Sequence, residues 1–293
     1  MLRQALLAIS KSRHAERLVT TSPLTADVVR RYVADDIGAA VAGLTRVGLL
    51  VSAAHLGEEV TERAQTERAV ADYLALLDLL PPGADVSVKL TALGLRLSEQ
   101  VAHDHAAAIC RAAAAKDVTV TLDAEEHDTI AGLHSVHTAL RRDHPDVGVV
   151  VQAYLPDSLE RCEKLGGARV RLCKGAYTAP GAYRRASDID LSFVRCLKIL
   201  MAGTGYPMVA THDPRLLRIA STLAVLDGRD ATGFEYQMLH GVRPDEQVRL
   251  AGLGSRVRVY VPYGSDWYAY LMRRLAERPG NLAFFLRSLA SRG

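Results

Sequence analysis

Residues 86–123 read VSVKLTALGLRLSEQVAHDHAAAICRAAAAKDVTVTLD. A short β-branched run, Val86–Leu90, is followed by an alanine-rich stretch with helical periodicity, His103–Lys116, and then by a second β-branched run, Val118–Asp123. Strand, helix and strand in that order form the unit whose two strands lie parallel. One parity of each run is polar: Ser87 and Lys89 share a side of the first, and Thr119, Thr121 and Asp123 share a side of the second. A parallel strand covered on both faces should be apolar nearly throughout. The polar side therefore marks a place where the usual packing is interrupted.

The same unit recurs in both directions. Further strand-like runs are Val47–Ser52, Val147–Ala153, Ala168–Lys174, Pro207–Thr211, Gly233–Met238 and Val257–Val261, with helical stretches such as Glu59–Leu80 and Leu191–Ala202 between them. Eight strands alternating with helices in about 250 residues is the arithmetic of an α/β (β/α)8 TIM barrel. An open doubly wound sheet allows the same alternation, and the count favours the barrel. The segment before the first strand, Leu2–Val41, reads as helical pieces broken near Ser22-Pro23. The expected organisation is an N-terminal helical arm over residues 1–41 and a barrel over 42–293.

The 36 basic and 33 acidic residues are interspersed and leave a net charge of +3. That balance, with no basic block, argues against nucleic acid as a partner. Cys110, Cys162, Cys173 and Cys196 have no CxxC spacing and read as buried or incidental thiols of a reducing cytoplasm. The apolar run Ala5–Ile9 is too short for a signal-peptide core, so the expected location is cytoplasmic. No GxGxxG follows a first strand and no GxxxxGK loop is present. His103-x-His105 opens an alanine-rich helix, and Asp123-x-Glu125 has no histidine placed beside it, so no metal is expected.

The polar parity continues in Arg169 and Arg171 and in Arg258 and Tyr260. A charge inside such a barrel is costly unless paired or meeting a ligand. Active sites of these barrels lie at the C-terminal ends of the strands. Two readings are open: structural ion pairs, Lys89 with Asp123 for example, or a site. A final helix is expected from Trp267 to Glu277, capped at Ser265-Asp266, with Tyr268, Leu271, Met272 and Leu275 as its apolar stripe. Its other face carries Tyr270, Arg273, Arg274 and Glu277. That face is either solvated or turned into the barrel mouth, where two guanidinium forks could clamp a carboxylate.

The series Val-Lys89-Leu, Leu-Asp123-Ala-Glu, Val-Gln152-Ala-Tyr, Arg171-Leu-Cys-Lys-Gly-Ala-Tyr177, Ala-Thr211-His212-Asp, Phe-Glu-Tyr-Gln-Met-Leu239-His-Gly and Tyr-Leu-Met-Arg273-Arg274-Leu-Ala-Glu277 resembles the proline dehydrogenase family, monofunctional bacterial type. The match runs in order from about Gly48 to the C-terminus. It implies a distorted barrel with the final helix over its mouth, and non-covalent FAD that oxidises L-proline to Δ1-pyrroline-5-carboxylate. By resemblance, Lys89, Arg273 and Arg274 hold the proline carboxylate, while Tyr177, Leu239, Tyr260 and Tyr270 wall the ring. Gln152, Lys174, Gly175, Ala176, Thr211, His212 and Glu277 contact FAD, as does the backbone near Ala124. Arg171 lies by the flavin N5 region. Asp123 belongs to the site, where orienting Lys89 or Tyr260 and handling the amine proton are all open.

Cys173 and Ala124 depart from the pattern, which has an aliphatic residue and a methionine there. Tyr260 keeps the hydroxyl expected of the proline-specific branch. The resemblance also implies a quinone as electron acceptor and transient contact with the inner membrane surface. The chain is too short to carry the aldehyde dehydrogenase of bifunctional relatives, so a separate pyrroline-5-carboxylate dehydrogenase is the expected partner that consumes the product. The competing readings are a class I aldolase, with Lys89 or Lys174 forming a Schiff base and Asp123 as shuttle, and a non-catalytic amino-acid-binding barrel.

Overall fold

The computed structural model describes residues 29–57, 60, 62–268 and 270–272. Eight parallel strands close into a barrel in sequence order, with β1 (Leu50–His55) pairing β8 (Val257–Tyr263). Between them lie β2 (Asp85–Val88), β3 (Thr119–Leu122), β4 (Gly148–Gln152), β5 (Arg169–Cys173), β6 (Tyr206–Ala210) and β7 (Glu235–Leu239). Helix α1 (Ile37–Arg46) precedes β1. The crossover helices are α2 (Arg63–Leu77), α3 (Glu99–Ala114), α4 (Ile130–Leu140), α5 (Ser158–Lys164), α6 (Ala186–Ala202), α7 (Pro214–Leu226) and α8 (Pro244–Gly252). The closed barrel replaces the open-sheet alternative.

All eight expected strands form, with ends displaced for local reasons. The first begins at Leu50 rather than Val47, because Val47 is the C-cap of α1 and Gly48 turns the chain at φ 77°. Helix α3 starts at Glu99, ahead of the apolar periodicity, because the Ser98 hydroxyl accepts from the Gln100 amide at 3.2 Å. Helix α6 likewise gains a polar first turn containing Asp188 before its apolar face begins. The boundary at residue 41 falls inside α1, whose Ile37 and Val41 join the main core, and Ala34 already pairs with β8 through Pro262.

The apolar faces of the strands and helices meet in one layer around the barrel, filled by Tyr73, Ile109, Leu122, Leu172, Phe193 and Leu197 among others. Arg229 ties the base of one sector together, donating to the carbonyls of Leu200, Met201, Gly203, Gly205 and Gly233. No helix among the described residues is long and apolar enough to cross a membrane.

His137 in α4 gives this packing a pH dependence. Its Nε2–H donates to the Val147 carbonyl at 3.2 Å, and its buried Nδ1 has no partner among the described residues. Burial, with Arg141 adding to it, lowers its pKa from 6.5 to about 4. Above pH 6.5 both folded and unfolded chains hold it neutral; between 6.5 and 4 only the unfolded chain takes the proton. Stability is therefore full above the unfolded value and falls through that window, by about 3 kcal/mol from this residue. Urea unfolding of the parent and of His137→Gln at pH 7.5 and 4.5 is expected to show a smaller acid loss in the variant. Equal losses in the two proteins would remove His137 from the effect.

Candidate active site

The polar parity of the strands points inward, and its centre is Arg171. From β5 this guanidinium donates through Nε to Gln237 (2.5 Å), through Nη1 to Ser87 (2.5 Å) and Asp123 (2.6 Å), and through Nη2 to Ser52 (3.0 Å) and Asp85 (3.1 Å). Each of its five N–H groups has an acceptor, drawn from β1, β2, β7 and the end of β3. Burial works against its charge, but Asp123 and Asp85 outweigh that and hold its pKa above the usual guanidinium value. Asp85, wholly buried, also accepts from Ser52, Thr119 and Thr121. Toward the base, Arg258 pairs with Glu235 through two hydrogen bonds, and Gln237 links that pair to Arg171.

The interior is thus largely an ion-pair network, although the pair offered from the sequence, Lys89 with Asp123, is not in it. Asp123 is committed to Arg171, to Ser87 at 2.9 Å and to the Tyr260 hydroxyl at 2.8 Å. Asp85, Glu235, Ser52 and Gln237 were missed as interior partners. Asp85 shares the parity of Ser87 and Lys89 but precedes the run that reads as strand. Glu235 and Gln237 share the parity of Leu239, and that alternation was the available signal.

Above this network, at the C-terminal end, Lys89 is only 6% exposed. Its single acceptor among the described residues is the His55 carbonyl, at 3.5 Å. Tyr260 stands over Asp123 with the Arg171 guanidinium 5.4 Å from its ring centre. Burial, then Asp123, push its phenol well above the usual range, so it remains a neutral donor. Leu239 ends β7 on the face of Glu235 and Gln237.

The last helical residues begin at Trp267. Tyr268, Leu271 and Met272 pack with Val29, Tyr32, Val33 and Leu56 in a second core, as the apolar stripe requires, and Tyr270 is buried with them. Arg273, Arg274, Leu275 and Glu277 lie outside the described residues.

The described residues read as cofactor contacts lie at or just beyond the C-terminal ends of β3 to β6. Gln152, at the end of β4, directs Nε2 toward the Ala124 carbonyl (3.4 Å), while its buried Oε1 has no partner among the described residues. Gly175 has φ 97°, and a Cβ there would run into the Tyr154 ring. Ala176 and Tyr177 follow in the same half-buried loop. Lys174 pairs with Asp190 at 2.6 Å and Asp213 at 3.3 Å, and Arg215 bridges the same two acids. An ammonium held by two carboxylates is a poor Schiff-base nucleophile. The Thr211 hydroxyl accepts from the Asp213 amide, Asp213 itself caps α7 by accepting from the Arg215 amide, and His212 Nε2 accepts from the Leu239 amide.

A closed parallel barrel with a buried cation and a neutral phenol at the C-terminal ends of its strands is an α/β barrel of the (β/α)8 class, whose active sites lie at that end. Residues 38–287 match the family model described as proline dehydrogenase. The chain is 35% identical over 300 residues to proline dehydrogenase 1 of Bacillus subtilis subsp. natto, covering 99% of both chains. It is 31% identical over 307 residues to the proline dehydrogenase of Deinococcus radiodurans, covering 99% of this chain and 98% of that one. A solved structure of proline utilization A from Bdellovibrio bacteriovorus superposes with a TM-score of 0.79 at 22% identity, over 85% of this chain and 32% of that one, which supports the fold. The chain belongs to the proline dehydrogenase family, and it is an oxidoreductase that oxidises proline.

Proposed function

We propose that the barrel binds FAD and oxidises L-proline to Δ1-pyrroline-5-carboxylate at its mouth. The observation that carries this reading is Lys89, a buried ammonium with one long hydrogen bond and no carboxylate partner among the described residues. Such a charge is costly to bury unless an anion meets it, and the proline carboxylate is the anion this family brings. In this reading Arg273 and Arg274 complete the clamp, since their forks match two carboxylate oxygens. Tyr177, Leu239, Tyr260 and Tyr270 wall the pyrrolidine ring. A neutral Tyr260 offers that ring an uncharged face. Asp123 acts through it, because its oxygens are already held by Tyr260, Arg171 and Ser87.

The donor set fits a flavin. The buried Gln152 Oε1, without a partner among the described residues, suits an imide N–H. Gln152, Lys174, Gly175, Ala176, Thr211, His212, Glu277 and the backbone at Ala124 would hold the cofactor. Bound FAD supplies the acceptor for the hydride leaving C5 of proline. Arg171, fixed by five hydrogen bonds, would supply a preorganised positive charge to the bound cofactor. Transfer of electrons to a quinone at the membrane surface, and of product to a separate pyrroline-5-carboxylate dehydrogenase, extend the proposal on the family resemblance alone.

FAD-loaded protein is expected to lose its visible flavin absorbance when L-proline is added without oxygen. A fully loaded preparation that stays oxidised would refute the proposed reaction. A colourless protein trapped by borohydride with a carbonyl substrate would instead favour the aldolase alternative.

A further inference from the structure

The β6–β7 ladder ends at Ala210 opposite Gln237, while β7 continues to Leu239. Backbone N–H groups alternate sides along a strand, so the Leu239 amide points the same way as that of Gln237, toward a neighbour strand that has already ended. An amide stranded there would be costly. The acceptor is a side chain: His212 Nε2, 2.9 Å from the Leu239 nitrogen. An amide can only donate, so Nε2 presents its lone pair and the neutral ring carries its proton on Nδ1.

His212 also holds the far end of the same loop. Its carbonyl accepts from Arg243 Nη1 at 2.6 Å, and Arg243 sits in the left-handed region (φ 53°, ψ 53°) at the start of α8. Buried Gln247 donates to the carbonyls of Leu239 (3.0 Å) and Val242 (2.9 Å). The segment between Leu239 and Arg243 is therefore fixed at both ends, with His212 touching each.

We infer that His212 is a positioning residue for proline: as the Nδ1–H tautomer it anchors the Leu239 amide and so sets where the Leu239 side chain stands in the pocket wall. The inference rests on the proposed place of Leu239 against the pyrrolidine ring. A protonated His212, or a side chain without an acceptor at that point, frees the end of β7 and loosens the wall.

The test combines a spectrum with kinetics on FAD-loaded protein. With 15N-labelled histidine, the His212 resonances, assigned by their loss in His212→Gln, are expected to show a protonated Nδ1 and an unprotonated Nε2. Compared at equal FAD occupancy, His212→Leu is expected to raise the KM for proline about tenfold, well beyond any loss in kcat, and His212→Gln, whose Oε1 can take the same amide, to recover most of it. A protonated Nε2 in the parent protein overturns the inference whatever the kinetics of the variants show. If Leu239→Ala raises KM while His212→Leu does not, the inference fails and the pocket reading stands. If Leu239→Ala leaves KM unchanged, the pocket reading fails, and the inference with it.

Discussion

Replacing Arg171 with methionine is expected to lower the unfolding free energy by on the order of 3–5 kcal/mol. The guanidinium is the shared counter-ion of Asp85 and Asp123, at 3.1 and 2.6 Å, and these side chains are 0% and 13% exposed. Removing it leaves both carboxylates in the barrel without their cation and strands Gln237 Oε1, which accepted its Nε–H. Domains of this kind are stable by about 5–15 kcal/mol, so the variant approaches the limit of folding. Urea unfolding at pH 7 should show a lower midpoint with an unchanged slope. Arg171→Lys restores charge but offers three donors in place of five, and is expected to recover only part of the loss. Adding Asp85→Asn to Arg171→Met should cost less than the sum of the single changes, since both act on one network. A loss below about 1 kcal/mol for Arg171→Met would mean that the ion pairs are not what holds the interior.

The barrel was legible because each strand is a β-branched run between helical stretches, a signal that survives without knowledge of partners. Strand ends were less so: Asp85 stands one residue before the apolar run, and a lone carboxylate there reads as loop. Which carboxylate meets which cation was not legible. Lys89 and Asp123 end neighbouring strands and looked like a pair, yet Asp123 turns to Arg171 from β5 and Tyr260 from β8, bringing together residues 48 and 137 positions apart. Such choices depend on barrel closure and side-chain reach, which one-dimensional parity does not carry. His212 shows the same limit. Thr211-His212 reads locally as a capping pair, but the cap of α7 is Asp213, and the imidazole bonds to a residue 27 positions away. The polar face of the last helix was visible as a pattern, whereas the burial of Tyr270 with Val29, Tyr32 and Val33 required the packed chain.

Lys89→Met is expected to separate function from stability in opposite directions. A charge-assisted hydrogen bond to a carboxylate contributes about 1.5–3 kcal/mol, so the KM for proline should rise by roughly 10- to 150-fold. The same change removes a buried ammonium that has only one long hydrogen bond and replaces it with an apolar chain of similar length. Its desolvation cost disappears with it, and the unfolding midpoint should stay level or rise by about 1 kcal/mol equivalent. A residue kept against stability because a ligand needs it behaves in this way. Lys89→Arg keeps the charge but has to seat a wider head group, so it should recover binding incompletely. Steady-state kinetics with an artificial electron acceptor and urea unfolding of the same preparations measure both quantities. A variant that keeps its KM and unfolds earlier would make Lys89 a structural cation. The carboxylate clamp would then have to stand on the final helix alone.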